Sequence, residues 1–231
     1  MTRAPLVRSF MVAGTAAGVG KTLVTTEIVK SLRSLGIHAV AMKPVARGHV
    51  LQNGTWYSDE MRRLADASAF DLPPRALCGH WLADDYVPEH SVRPTVSLES
   101  IVDTFQALST WADLVVVEDA QDLKRSAGDR FDGDDLAREL KLPVVLVVGM
   151  QPGCAQVALA RVNALARGGL ECAGWIANQF EPQWRDEFAL RALEEGMRAP
   201  CLGSVPWLRD DVPASSPTGI DVGRILMTLA R

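Results

Sequence analysis

The chain has 231 residues, 48% of them apolar, with 24 basic and 28 acidic side chains and a formal charge of −4. The apolar share excludes a disordered chain, and no uninterrupted apolar run reaches the roughly 18 residues that a membrane-spanning helix needs. Mild acidity argues against broad nucleic-acid binding through phosphate neutralisation. The opening MTRAPLVRSF lacks a long apolar core ahead of a cleavage site, so a cytoplasmic protein is expected, with neither nucleic acid nor a membrane as partner.

In chain order, residues 10–13 read as a buried strand ahead of a glycine-rich turn. Residues 23–35 read as a helix, with Leu23, Ile28, Leu32 and Leu35 near helical spacing and Gly36 as its stop. A second strand covers 37–42 and ends at Lys43-Pro44. Helices follow over 59–69 and 98–110, separated by an irregular, proline-rich excursion over 72–94. Further strands fall at 113–117, 143–149, 174–178 and 202–205, with helices at 131–140, 154–168 and 185–197 between and after them. This alternation predicts a P-loop NTPase-like α/β fold, a parallel sheet with helices on both faces, as a single domain over residues 1–231.

The four cysteines, Cys78, Cys154, Cys172 and Cys201, form no C-x-x-C pair and read as reduced thiols. The four histidines are scattered. Residues 14–22, GTAAGVGKT, are the sharpest feature, because they stand between a strand and a helix. Glycines there let backbone N–H groups curl around phosphate oxygens, and the helix N-terminus adds a favourable dipole. Lys21 is placed to reach the β/γ-phosphates and the Thr22 hydroxyl to hold magnesium. Five residues separate Gly14 from Gly20, one more than the common form of the loop.

Magnesium usually takes only one or two protein carboxylates beside phosphate and water. Glu118 ends the strand at 113–117, at the carboxyl edge of the sheet where ligands gather. Asp59 opens a helix, where it reads either as a first-turn acid or as a metal ligand. Lys43 ends another strand, where an ammonium can neutralise a transferring phosphoryl group.

Together these segments resemble the dethiobiotin synthetases, the ATP-dependent ring-closing enzymes of biotin biosynthesis. The loop GTAAGVGKT matches the family's G-T-x-T-x-V-G-K-T, KPVARG at 43–48 its K-P-V-x-[ST]-G, and Ser58-Asp59 its S-D element. VVGMQPGC at 147–154, GWIAN at 174–178 and GSVPWL at 203–208 match three more diagnostic runs. The resemblance implies a ligase that uses ATP and Mg2+ to join CO2 and 7,8-diaminopelargonate. It implies nucleotide contacts at Thr15, Gly18, Val19, Gly20, Lys21, Thr22 and Leu23, and a base pocket at Asn178, Pro206, Trp207 and Leu208. Catalysis falls to Lys21 and Lys43, metal binding to Thr22, Asp59 and Glu118. The helix start at Gly153 and Cys154 is expected to bind the substrate carboxylate in the partner subunit of a homodimer.

The sequence departs from the family where substrate is expected. Ala16 and Ala17 stand where Asp and Thr are usual. Arg47 replaces a small hydroxyl residue, to fill space or to contact substrate or phosphate. Asp119 and Asp122 replace glycines beside Glu118, as metal ligands, ammonium contacts or partners for Arg47. The family's P-H-x-[AS] segment is eroded in VPEH at 87–90. A divergent paralogue that binds ATP without the usual turnover is the alternative. The partitioning and septum-placement ATPases share the loop, but their signature lysine aligns with Ala16.

Overall fold

The computed structural model describes residues 7–50, 54, 56–83, 96–120, 123, 127, 130–179, 186–207 and 219–230. β1 (Phe10–Gly14) lies between β5 (Leu114–Glu118) and β6 (Val144–Met150), parallel to both. β5 and β6 are buried along their whole length and rich in valine, as strands covered on both faces should be. β2 (Ala39–Val50) joins β5, while β7 (Cys172–Gln179) and β8 (Cys201–Val205) extend the sheet beyond β6, all in parallel. β3 (Trp56–Tyr57) and β9 (Gly219–Ile220) close the two edges antiparallel.

Connections from β1 leave in both directions, so the chain reverses its strand order at β1. In open sheets that reversal opens a crevice at the carboxyl ends of the strands. α1 (Lys21–Ser34) begins after Gly20, whose φ of 83° is the left-handed turn that aims the loop back over the strand ends. α2 (Asp59–Ala67) is capped by Ser58, which accepts from the Met61 N–H. α3 (Leu98–Ser109), α4 (Gly133–Glu139), α5 (Cys154–Arg167), α6 (Glu187–Gly196) and α7 (Val222–Leu229) complete the layers. None of these helices is long and apolar enough to cross a membrane.

Three features differ from the sequence expectation. β2 does not stop at Met42. It leaves β5 there and continues to Val50, pairing with β4 (Cys78–Ala83) from Lys43 to Gly48. β4 itself lies in the stretch expected to be irregular; residues 84–95, including Glu89 and His90, lie outside the described residues. Residues 222–229, where the sequence pattern predicts no element, form α7 with Val222, Ile225 and Leu229 buried at helical spacing.

Candidate active site

The phosphate loop is held from below and from the side. Gly14 has no room for a side chain, since a Cβ would stand 2.6 Å from the buried Val19. The Thr15 N–H donates to Val147 O at 3.0 Å, and the Gly149 N–H reaches the Thr15 hydroxyl at 3.5 Å, which ties the loop to the end of β6. Gly18 is also left-handed, at φ 69°. α1 has no side-chain cap and no acid in its first turn. Its first N–H groups and Lys21 therefore present a positive end to the crevice.

That crevice is an open pocket of about 500 Å³ lined by Gly18, Gly20, Lys21, Thr22 and Leu23 from the loop, and by Lys43, Glu60, Glu118 and Asp119 opposite. The Thr22 hydroxyl lies 2.5 Å from Glu60 Oε1 and 2.8 Å from Glu118 Oε1. Lys43 Nζ donates to the same two oxygens, at 2.5 and 2.8 Å. Thr22 from α1 and Lys43 from β2 thus each bridge two carboxylates, Glu60 from α2 and Glu118 from β5.

Burial sets the electrostatics. Glu118 is 1% exposed, and desolvation pushes its carboxyl above the usual range despite the pull of Lys43, with Glu60 adding like-charge repulsion. Burial also acts on Glu60, but attraction and hydrogen bonding from Lys43 and Thr22 outweigh it, and its carboxyl sits low. Lys43 is desolvated too, yet the two acids win and hold its ammonium above the ordinary value. Lys21 goes the other way: burial lowers it more than Asp119 and Glu118 raise it. Asp119 is raised, because desolvation outweighs Lys21 and Arg161.

The donor set suits magnesium. Glu118 Oε2 is buried without a hydrogen-bond partner, beside a second carboxylate and a threonine hydroxyl. Among the described residues no group of three or more His, Cys, Asp or Glu could hold a metal by itself. A hard cation that relies on phosphate and water for its other ligands needs no such cage.

The structure places Lys21, Thr22, Lys43 and Glu118 around one pocket, and Asp59 outside it. Asp59 is exposed and accepts the Tyr57 hydroxyl at 2.6 Å; the acid that meets Thr22 and Lys43 is Glu60. The helical wheel explains the exchange and held the signal for it. Met61, Leu64 and Ala67 are the buried face of α2. At 100° per residue, Glu60 lies about 40° from the centre of that face and Asp59 about 140°.

Asn178 is buried at the end of β7 and its Nδ2 donates to Val19 O at 2.9 Å. Pro206 and Trp207 follow β8, with the Trp207 N–H reaching Gln179 Oε1 at 3.4 Å. Leu208 and Asp122 lie outside the described residues. Arg47 and Asp119 do line the pocket, together with Ala17 and Arg63. Gly153 and Cys154 begin α5, Gly153 left-handed at φ 81° and Cys154 buried, and neither is among the residues lining that pocket.

A sequence model of the AAA domain family matches residues 8–215. An ATP-dependent dethiobiotin synthetase BioD from Aromatoleum aromaticum is 39% identical over 212 residues, covering 90% of this chain and 94% of that protein. The BioD of Xanthomonas oryzae pv. oryzae is 37% identical over 220 residues, 94% of this chain and 98% of its own. Among solved structures, a ParA family ATPase from Chlorobium tepidum matches with a TM-score of 0.55 at 11% identity, covering 97% of both chains. The septum site-determining protein MinD from Pyrococcus horikoshii, complexed with Mg-ADP, matches at 0.53 and 18%, over 97% of this chain and 95% of that one. At such identities the last two carry the fold alone. Likeness along nine-tenths of the sequence, on a phosphate loop faced by a lysine and two carboxylates, makes the chain a member of the dethiobiotin synthetase family.

Proposed function

We propose that the protein is an ATP-dependent ligase that closes a cyclic urea from 7,8-diaminopelargonate and CO2, giving dethiobiotin, ADP and phosphate. The observation that carries this reading is the cluster of Thr22, Lys43, Glu60 and Glu118 at the mouth of the phosphate loop. An amine adds to CO2 and loses a proton to form a carbamate. A carbamate oxygen attacks the γ-phosphorus, and the bond to ADP breaks. The second amine then attacks the carbonyl carbon of the mixed anhydride, loses a proton as phosphate leaves, and the ring closes. No step asks for a protein nucleophile, so positioning and charge stabilisation do the work.

In this reading Lys21 and Lys43 flank the transferring phosphoryl group, and backbone N–H groups from Gly18 to Leu23 hold the phosphates, with Thr15 anchoring the start of the loop. Thr22, Glu60 and Glu118 would hold magnesium, which when bound offsets the negative charge of the phosphate oxygens. Asn178, Pro206, Trp207 and Leu208 are assigned to the base. Lys43, Val45 and Arg47 alternate along β2 and all line the pocket, so Arg47 faces the substrate end. Gly153 and Cys154 are assigned to the substrate carboxylate across a homodimer interface, and the setting is cytoplasmic.

Purified protein with ATP, magnesium, bicarbonate and the diamine tests the reading. Diamine-dependent phosphate release, with dethiobiotin identified by mass spectrometry, is the expected result. ATP binding without diamine-dependent turnover would reject it. Arg47 and Asp119 in the pocket favour one second reading, the same chemistry on a different amine, for which phosphate release with another diamine would be the sign.

A further inference from the structure

β7 ends against the phosphate loop, and the contact is specific. Asn178 is 3% exposed, and its Nδ2 donates to the Val19 carbonyl across 159 residues of chain. The neighbouring Gly20 has its φ at +83°, and the place a Cβ would take there is filled by that same amide nitrogen. One side chain therefore fixes the loop twice, by a hydrogen bond to one residue and by packing where the next has no side chain. The orientation of the amide is settled by chemistry, since a carbonyl oxygen requires the nitrogen end to face it.

A primary amide has two N–H donors and an acceptor oxygen. Val19 uses one N–H, which leaves the other N–H and Oδ1. A donor beside an acceptor in one plane matches the adenine edge, which presents an acceptor nitrogen next to an amino group. We propose that Asn178 is a positioning residue that couples base recognition to the phosphate loop, so that the two ends of the nucleotide bind cooperatively. The inference rests on the assignment of ATP as the nucleotide and goes beyond it. A rigid amide held by Val19 is already aligned for the base, and a base that holds the amide stiffens the loop in return. The coupling is reciprocal by thermodynamic necessity.

The test splits the nucleotide into adenosine and magnesium tripolyphosphate and measures each by calorimetry, alone and with the other saturating, next to ATP itself. Saturating adenosine should tighten tripolyphosphate binding at least about fivefold in the unaltered protein. Asn178→Ala should reduce that factor to about one and weaken tripolyphosphate even though this probe carries no base. Asn178→Asp, which keeps the shape but turns an oxygen toward Val19 O, should weaken it further. Independent binding of the two fragments to the unaltered protein overturns the inference whether or not the variants fold. So does an Asn178→Ala protein with undiminished tripolyphosphate affinity. ATP binding without coupling removes this inference alone; failure of ATP to bind removes the functional reading and the inference together.

Discussion

Lys43 Nζ lies 2.8 Å from Glu118 Oε1, and sheet register brings them there. Met42 pairs with Val117, so the residues that follow each of them stand at one level on the carboxyl edge of the sheet. Glu60 comes to the same ammonium from α2, and the lysine is balanced on two sides.

Lys43→Ala should lower turnover by about 100-fold or more, the usual effect of removing one group that stabilises transition-state charge. The variant also leaves the buried Glu118 without its ammonium. Melting under denaturant should show a loss of about 3 kcal/mol at neutral pH, the low end for breaking a buried pair. Turnover within a few-fold of the unaltered protein would remove Lys43 from the reaction.

Glu60→Gln and Asp59→Asn separate two adjacent acids. Mn2+ titration by electron paramagnetic resonance, with ADP present, should show about tenfold weaker binding or more for Glu60→Gln. Asp59→Asn should bind as the unaltered protein does, because its carboxylate is turned to Tyr57. The reverse ranking would return the metal role to Asp59.

Glu118→Gln should trade activity for stability in a pH-dependent way. A carboxyl whose folded pKa is raised keeps its proton in the folded state above 4.5, so folding stability falls as pH rises from 4.5 toward that folded value. Glutamine has no such slope. Glu60, with its lowered pKa, contributes stability above 4.5 that is lost in acid, and it does so in both proteins. The melting temperature of Glu118→Gln relative to the unaltered protein should therefore climb as pH rises from about 4.5. A flat or falling difference would contradict the burial argument, and the variant should turn over poorly at every pH.

Gly18→Ala and Gly20→Ala differ in a way that backbone angles alone do not foretell. Both glycines are left-handed, but a Cβ at Gly18 meets open space, whereas at Gly20 it collides with Asn178. Gly18→Ala should cost about 1 kcal/mol of strain and keep nucleotide binding. Gly20→Ala should cost more and abolish ATP binding by calorimetry. Equal effects would mean that Asn178 yields easily.

The central strands were legible because β1, β5 and β6 are short apolar runs, each followed by a residue type that has a use at a strand end: Gly14, Glu118, Gly149. β4 was not, since its sequence CGHWLA sits behind two prolines and shows neither alternation nor a valine run. Its strand identity comes from β2, which needs a partner beyond Met42. The loop, both lysines and Glu118 could be read from spacing, whereas Glu60 required a choice of helix face that Ser58-Asp59 obscures. Asn178 was found in the right strand. Its grip on Val19 could not be read, because a contact across 159 residues leaves no local signal.

The two-part course of β2 divides labour along a single strand. Up to Met42 it is locked into the central sheet, where a change would propagate into β5 and the position of Glu118. From Lys43 onward it pairs with β4, which stands off the main run of strands and joins only β2 among the described residues, and there it carries Arg47 into the pocket. The pocket wall at Arg47 is thus supported separately from the central strands that hold the phosphate loop and Glu118. Lys43 stands where the two halves meet, one residue past the β5 pairing and the first to pair with β4.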